Sequence, residues 1–238
     1  MNYLSRCEDM TCNKTYPADL NKCPHCGADS AFSSPAPVDP RDWGYDLETF
    51  ENTFTVCFIH AATGMELLYE ISDRRNDWQV IVDMAYNLGR SGARGIGFNN
   101  LEFDYPIIHW LVQQHAGVTP QQIFAKAQQI IESNNINSWS NMVWDRDQIF
   151  QQIDLYKINH FDNKARRTSL KALEVAMQSR NVKDLPFPVG AILDDAQKDI
   201  LIEYNKHDVR ETLKFYVRCL EKITFREELT ATYGKNFM

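Results

Sequence analysis

Four carboxylates and one tyrosine, drawn from three distant segments, are the residue types that metal-dependent phosphate chemistry requires. Asp46 and Glu48 lie two residues apart, Asp104 stands alone, and Tyr204 and Asp208 are four residues apart. Residues two apart share a face of a strand, and residues four apart share a face of a helix. The spacing therefore predicts that three elements bring these five side chains into one pocket.

Carboxylates that converge in this way repel one another, and without compensation some would stay protonated near neutral pH. Divalent cations remove the repulsion, and hard oxygen ligands favour Mg²⁺ or Mn²⁺. Two such ions ~3.5–4 Å apart can clamp an in-line displacement at phosphorus. Tyr204 would orient the attacking water, because a phenol is a poor base but a good hydrogen-bond donor. Singly each motif has a plain alternative: a solvated acid pair, a helix capped by Asn99 or Asn100, or a core tyrosine.

Alternating short apolar runs and longer helical patterns indicate an α/β fold with one mixed sheet and helices on its faces. Strands are predicted at 43–48, 54–60, 65–71, 94–98 and 153–156. Helices are predicted at 76–89, from about 102, from Thr119-Pro120, at 168–177, and from about 194 towards 219. The first two metal ligands then lie on a strand, Asp104 near a helix start, and Tyr204 with Asp208 on the last helix.

Three motifs in this order resemble those of the DEDD, or DnaQ-like, exonuclease superfamily. They are Asp46-Leu47-Glu48, Asn100-Leu101-Glu102-Phe103-Asp104 and Tyr204-Asn205-Lys206-His207-Asp208. Glu203 occupies the position of the histidine that marks one subtype, whereas Tyr204 matches the tyrosine subtype. The second motif, and the stretch Ser169-Leu170-Lys171, are similar to the proofreading domains of family-B DNA polymerases. The resemblance covers about residues 41–220.

The resemblance implies an RNase H-like fold with a five-stranded mixed sheet and a 3′→5′ exonuclease acting on single-stranded DNA or DNA 3′ ends. Asp46, Glu48, Asp104 and Asp208 would bind two Mg²⁺ or Mn²⁺ ions, with Tyr204 completing the catalytic set. By the same analogy Asn100 and Phe103 would contact the terminal nucleotides, and Leu47 would wedge between bases. Core packing is the competing interpretation of Phe103.

Family-B domains also place a lysine near the scissile phosphate, and Lys164, Lys171 and Lys206 are the candidates, with Lys171 assigned here to substrate binding. The resemblance suggests a free-standing, phage-like enzyme of DNA replication, recombination or repair. Two other functions stay open: an exoribonuclease with the same site, and a non-catalytic domain that binds nucleic acid or protein.

Four of the six cysteines lie in the first 26 residues, spaced Cys7-x4-Cys12-x10-Cys23-x2-Cys26. Two paired knuckles are typical of a structural Zn(Cys)₄ ribbon, and so small a module depends on its metal to fold. His25 lies inside the second knuckle and is interpreted as a bystander. We assign residues 1–30 to this ribbon, 31–40 to a Pro/Ser-containing linker, and 41–238 to the exonuclease domain. The ribbon would dock on a replication or recombination protein, or on its own catalytic domain.

The formal net charge of −7 argues weakly against a nucleic-acid partner, but the distribution of charge matters more. Seven basic residues lie between positions 157 and 183: Lys157, Lys164, Arg166, Arg167, Lys171, Arg180 and Lys183. This basic segment suits phosphate contacts, or it is an ordinary solvated face. With no apolar run long enough for a membrane span and no signal-like N-terminus, we expect a soluble, cytoplasmic protein without a membrane partner.

Overall fold

The computed structural model describes residues 4–6, 15–17, 24–26, 38–137, 139–179 and 181–238. The chain divides into two compact units, Met1–Val38 and Asp39–Met238. In the first unit, strands β1 (Leu4–Arg6) and β2 (Thr15–Pro17) form an antiparallel pair.

The predicted zinc ribbon falls mostly outside the described residues. Cys7, Cys12 and Cys23 belong to stretches that the structure does not describe, as do positions 31–37 of the predicted linker. Cys26 lies in an exposed turn at 24–26. The zinc site therefore stays a prediction.

The second unit is built on a five-stranded sheet of order β5-β4-β3-β6-β7. Its strands are β3 (Asp42–Phe50), β4 (Thr53–His60), β5 (Glu66–Ser72), β6 (Arg94–Gly97) and β7 (Gln151–Asp154). The first three form an antiparallel meander, and β6 and β7 run parallel to β3. The predicted mixed sheet flanked by helices is confirmed.

Helices cover the sheet. They are α1 (Trp78–Ser91), α2 (Asp104–Val112), α3 (Pro120–Ile136), the short α4 (Leu155–Ile158), α5 (Leu170–Ala176) and the 39-residue α6 (Asp195–Tyr233). Capping boxes begin two of them: Thr119 with Gln122 at α3, and Asp194 with Gln197 at α6. In the described part of the chain, no helix is long and apolar enough to span a membrane.

One predicted strand end is wrong. The strand expected at 153–156 ends at Asp154, and Leu155 begins α4 instead. The reason is local: the Asp154 carboxylate accepts a hydrogen bond from the backbone N–H of Tyr156 at 2.9 Å, which is helix N-capping. The last helix also extends past the predicted end near residue 219 to Tyr233.

The side chains of β3 alternate between two environments, as the pleat requires. Tyr45 and Leu47 lie in the main apolar core, which α1, α2 and α3 share. The opposite face meets α6: a Cβ on Gly44 would lie 2.6 Å from Leu213 Cγ, and Phe50 packs with Leu201. Asp46 and Glu48 belong to this second face, so the helix that carries Tyr204 and Asp208 crosses directly over them.

A buried polar network fixes the start of β3 against α6. Asp42 is fully buried, pairs with Arg94 of β6, and accepts a hydrogen bond from the Tyr216 hydroxyl. Arg94 also pairs with Glu227 near the end of α6. Because a buried charge left without its partner is costly, this network holds the strand and the helix in one register.

We predict that Gly89→Ala destabilises the protein, although alanine is the better helix former by about 1 kcal/mol. A Cβ at this position of α1 would lie 2.2 Å from the backbone carbonyl oxygen of Ile149, which has little freedom to move. Urea unfolding should show a loss of roughly 1–3 kcal/mol in the free energy of unfolding. Asn87→Ala, at an exposed position of the same helix, is the control, and its effect should stay within about 0.5 kcal/mol. A stabilised Gly89→Ala protein would contradict the packing argument.

Candidate metal centre

The structure brings the acids of the first and third motifs into contact distance. One carboxylate oxygen from each of Asp46, Glu48 and Asp208 lies within 4.8 Å of the other two. The strand supplies two of these groups from its α6-facing side, and the helix supplies the third. The pairing predicted from strand and helix periodicity therefore matches the geometry.

Asp104 joins this cluster from the first turn of α2. Its side chain is buried, and its Oδ1 accepts a hydrogen bond from the backbone N–H of Leu47 at 3.3 Å. Leu47 lies between Asp46 and Glu48 in sequence, so this bond ties the second motif to the first. The N-terminus of a helix also favours a negative charge. Neither Asn99 nor Asn100 caps the helix, whose N-cap residue is Phe103.

Burial and mutual repulsion raise the pKa values of the acids. Burial, then the charges of Asp104 and Glu48, hold the pKa of Asp46 well above its ordinary value. The pKa of Glu48 is raised by burial and by the charges of Asp208 and Asp104. Burial also raises the pKa of Asp104 to about 7, against the opposing hydrogen bond from Leu47. Such a set of mutually repelling oxygen ligands could hold a divalent cation.

Lys171 is the candidate lysine that reaches the acids. Its Nζ lies 2.9 Å from Asp208 Oδ1 and 3.1 Å from Glu174 Oε1. Lys206 instead pairs with Glu203 at 2.8 Å, and Lys164 is exposed. One positive charge thus offsets part of the negative charge at the edge of the cluster.

Tyr204 lies beside the same acids. The Lys171 ammonium sits 4.8 Å from the centroid of its ring, a cation–π contact. Burial, followed by the charges of Asp208 and Glu48, raises the pKa of the Tyr204 phenol further above its ordinary value. The hydroxyl therefore keeps its proton through the neutral and moderately alkaline range and acts as a hydrogen-bond donor.

The predicted substrate contacts other than Lys171 occupy different positions from those expected. Leu47 is 3% exposed and packs in the main core, as the alternation of β3 dictates. Asn100 is 0% exposed, and its Nδ2 donates to Tyr45 Oη and Gln152 Oε1. Neither side chain has a surface that a nucleotide could touch, so we correct both from substrate contacts to supports of the site. Phe103 is partly buried and packs against the core, the competing interpretation.

Three polar residues that the sequence reasoning missed border the acids. Asn205 donates from Nδ2 to Asp46 Oδ2 at 3.0 Å, and its Oδ1 accepts from Thr55 Oγ1 at 3.3 Å. Glu174 is fully buried, contacts His207 Nε2 at 3.2 Å, and has a ligand atom within 4.8 Å of those of His207 and Asp208. Their nearness in sequence to the predicted residues could have identified them. Asn205 and His207 lie inside the third motif, and Glu174 follows Lys171 by three positions.

Asp154 supports the site from behind. Its buried carboxylate accepts the backbone N–H groups of Asn99 at 2.9 Å, Leu101 at 3.2 Å and Tyr156 at 2.9 Å. Asn99 has a φ of 63°, a left-handed conformation that asparagine tolerates better than most residues. These bonds fix the loop between β6 and α2, and therefore the position at which Asp104 enters the cluster.

A comparison with models of known protein families finds no match to this chain. Searches of curated proteins and of solved structures find no matching protein either.

We predict that the metal-free protein loses stability as the pH rises from about 4 to about 7, in part through Asp104. Its ordinary pKa is 3.8, and its pKa in the folded protein is about 7. Between these values the unfolded chain has released a proton that the native state still binds, so the free energy of unfolding falls with pH. Melting temperatures in EDTA should show that Asp104→Asn stabilises the protein increasingly towards neutral pH.

Asp83→Asn, at an exposed position of α1, is the matched control and should show no such trend. An Asp104→Asn effect that does not change with pH would contradict the assigned burial of this carboxyl group.

Proposed function

We propose that this protein is a Mg²⁺- or Mn²⁺-dependent 3′→5′ exonuclease that removes nucleotides from DNA 3′ ends, preferably single-stranded. The observation that carries the proposal is the convergence of Asp46, Glu48, Asp104 and Asp208, from three elements, around Tyr204. The mixed sheet, with three antiparallel strands followed by two parallel ones, supports an RNase H-like fold for the domain.

The acids fit a pair of divalent cations. Asp46, Glu48 and Asp208 offer oxygens close enough to share an ion, and Asp104 lies near enough for its charge to raise the pKa of both strand acids. When bound, the ions would activate the attacking water and stabilise the leaving 3′ oxygen. The unfavourable crowding of four carboxylates is then compensated by the cations that the reaction requires.

The reaction forms a bond between the oxygen of water and phosphorus, and breaks the bond between phosphorus and the 3′ oxygen of the preceding nucleotide. The products are a nucleoside 5′-monophosphate and a strand shortened by one residue. Tyr204, held as a neutral phenol, would donate a hydrogen bond that orients the attacking water. Lys171, 2.9 Å from Asp208, would place its positive charge beside the scissile phosphate.

The basic segment would guide the strand to this centre. Lys164, Arg166 and Arg167 are exposed, and within the described residues none of them forms an ion pair. They precede α5, the helix that carries Lys171, so unpaired positive charge lies along the chain next to the site. Phosphates of a bound strand would take the place of the missing counter-charges.

We predict that Asp46→Asn and Asp208→Asn each lower the rate of hydrolysis by roughly three orders of magnitude, because each loses a cation ligand worth several kcal/mol in the transition state. The assay is digestion of a 5′-labelled single-stranded DNA oligonucleotide with Mg²⁺, with Mn²⁺ and with EDTA, beside a matched RNA. A metal-dependent ladder that shortens from the 3′ end is expected, with DNA cleaved faster than RNA.

Asp199→Asn is the control, since Asp199 is an exposed aspartate of the same helix that pairs with Arg74. It should retain full activity. Faster cleavage of RNA would reassign the substrate to RNA. Absence of cleavage of both strands by the wild-type protein, with a cooperative folding transition intact, would refute the enzyme and favour a non-catalytic domain.

Tyr204→Phe should reduce the turnover number less than loss of a metal ligand does. Removing the hydroxyl deletes one hydrogen bond, worth about 1–3 kcal/mol, so the expected loss is roughly 10- to 100-fold. The ring that packs with Phe50, Leu193 and Leu201 is kept, so the melting temperature should change little. A loss as large as that of Asp208→Asn would show that the phenol does more than orient water.

A further inference from the structure

Two exposed tryptophans lie together on the segment between α3 and β7. Trp139 is 62% exposed and Trp144 is 54% exposed. Their ring centroids are 6.4 Å apart and their planes are inclined by only 24°. Trp rings are among the largest apolar groups of a protein, so a stacked pair left in water is a candidate contact surface. We call Trp139 and Trp144 the tryptophan platform.

The segment that carries the platform is tied to the site. The Asn141 amide donates to Ser133 and Asn134 at the end of α3. Asn134 in turn donates from Nδ2 to the backbone carbonyl of Glu102 at 2.7 Å. Glu102 precedes Asp104 by two residues, so their Cα atoms are at most roughly 7 Å apart. The platform is therefore connected to the loop that delivers Asp104 to the metal centre.

A cation lies beside the platform. Lys157 Nζ is 5.9 Å from the centroid of the Trp139 ring and 2.8 Å from Glu102 Oε1. This ammonium group, ion-paired with Glu102, lies next to an aromatic face and beside the loop that carries Asp104. Stacking surfaces with adjacent cations are how proteins hold unpaired bases and their phosphates without reading sequence.

A cleft of about 510 Å³ opens next to Trp144. Its other lining residues come from α2 and from the segment that follows α3: His109, Gln113, Met142, Val143 and Asp147. The cleft is shallow and open to solvent. Three of these side chains, His109, Gln113 and Asp147, are polar, so the cleft offers hydrogen-bonding groups beside the Trp144 ring.

We propose that the tryptophan platform binds unpaired nucleobases of the strand whose 3′ end lies in the metal centre, with Lys157 facing its backbone phosphates. The proposal rests on the function proposed above, because it takes the substrate strand as the occupant. The aromatic pair, the neighbouring ammonium group and the connection to Asp104 favour a nucleic acid over a protein partner. Aromatic stacking tolerates every base, so the platform confers affinity and no sequence preference.

The test separates binding from hydrolysis. Affinity for a fluorescein-labelled single-stranded DNA oligonucleotide is measured by anisotropy in EDTA, where cleavage is blocked. Trp139→Ala and Trp144→Ala should each weaken binding about 5- to 100-fold, the range that stacking of one base supports. Trp139→Phe and Trp144→Phe, which keep an aromatic face, should recover most of the affinity. Phe225→Ala is the control, since Phe225 is 59% exposed on α6.

Kinetics add a readout that a loss of folding would not mimic. With Mg²⁺ or Mn²⁺, the alanine variants should raise KM for the oligonucleotide and leave kcat unchanged. Hydrolysis of the p-nitrophenyl ester of thymidine 5′-monophosphate should be unaffected, because this ester carries no further nucleotides whose bases could occupy the platform.

The outcomes are distinct. Equal affinity of the wild-type and doubly substituted proteins overturns the platform, even if the enzyme is active. Platform-dependent binding without hydrolysis of either substrate supports the platform and refutes the exonuclease. If the wild-type protein binds no oligonucleotide, the proposal is wrong. It is also wrong if the tryptophan substitutions abolish self-association and leave oligonucleotide binding intact, and the surface is then a protein contact.

Discussion

Mutual repulsion among four closely placed carboxylates is the constraint on which the rest of the larger unit depends. Folding brings together four carboxylates: Asp46, Glu48, Asp104 and Asp208. Their charged forms are unfavourable there, and the pKa value of each is raised. The structure meets that cost with rigid supports. The Leu47 N–H and the Asn205 amide each donate to an acid, Asp154 holds the loop before α2, and the network of Asp42, Arg94 and Tyr216 fixes β3 against α6.

The negative charge of these carboxylates is only partly compensated by nearby cations. Lys171 forms ion pairs with Asp208 and Glu174, and its charge also opposes the rise in the pKa of Glu48. Among the described residues, no cation forms an ion pair with Asp46 or Glu48. Full neutralisation by arginines and lysines would stabilise the fold but leave no net negative charge to hold a cation. Residual negative charge at the acid cluster, with unpaired basic side chains on the segment before α5, separates the two signs of charge in this part of the molecule.

Periodicity explains which parts of the fold and site were predictable. The five motif residues lie on regular elements or at the start of one, where the face of each side chain follows from counting, and their convergence was anticipated. The prediction for Leu47 neglected the same rule. Because Leu47 lies between two acids on a strand, its side chain points to the opposite face, into the core. The buried Asn100 side chain is held by Tyr45 and Gln152, which are distant in sequence. No local pattern could therefore predict its burial. The end of β7 was missed because Asp154 caps a helix, and the stacking of Trp139 on Trp144 depends on tertiary structure alone.

The alternation of β3 has a consequence for how this chain can change in evolution. Even-numbered residues from Asp42 to Phe50 face α6, and odd-numbered ones face the core. Inserting or deleting one residue within β3 would exchange the two sets beyond that point, driving carboxylates among aromatic rings and turning core side chains towards α6. Changes in the length of β3 should therefore be selected against more strictly than substitutions within it.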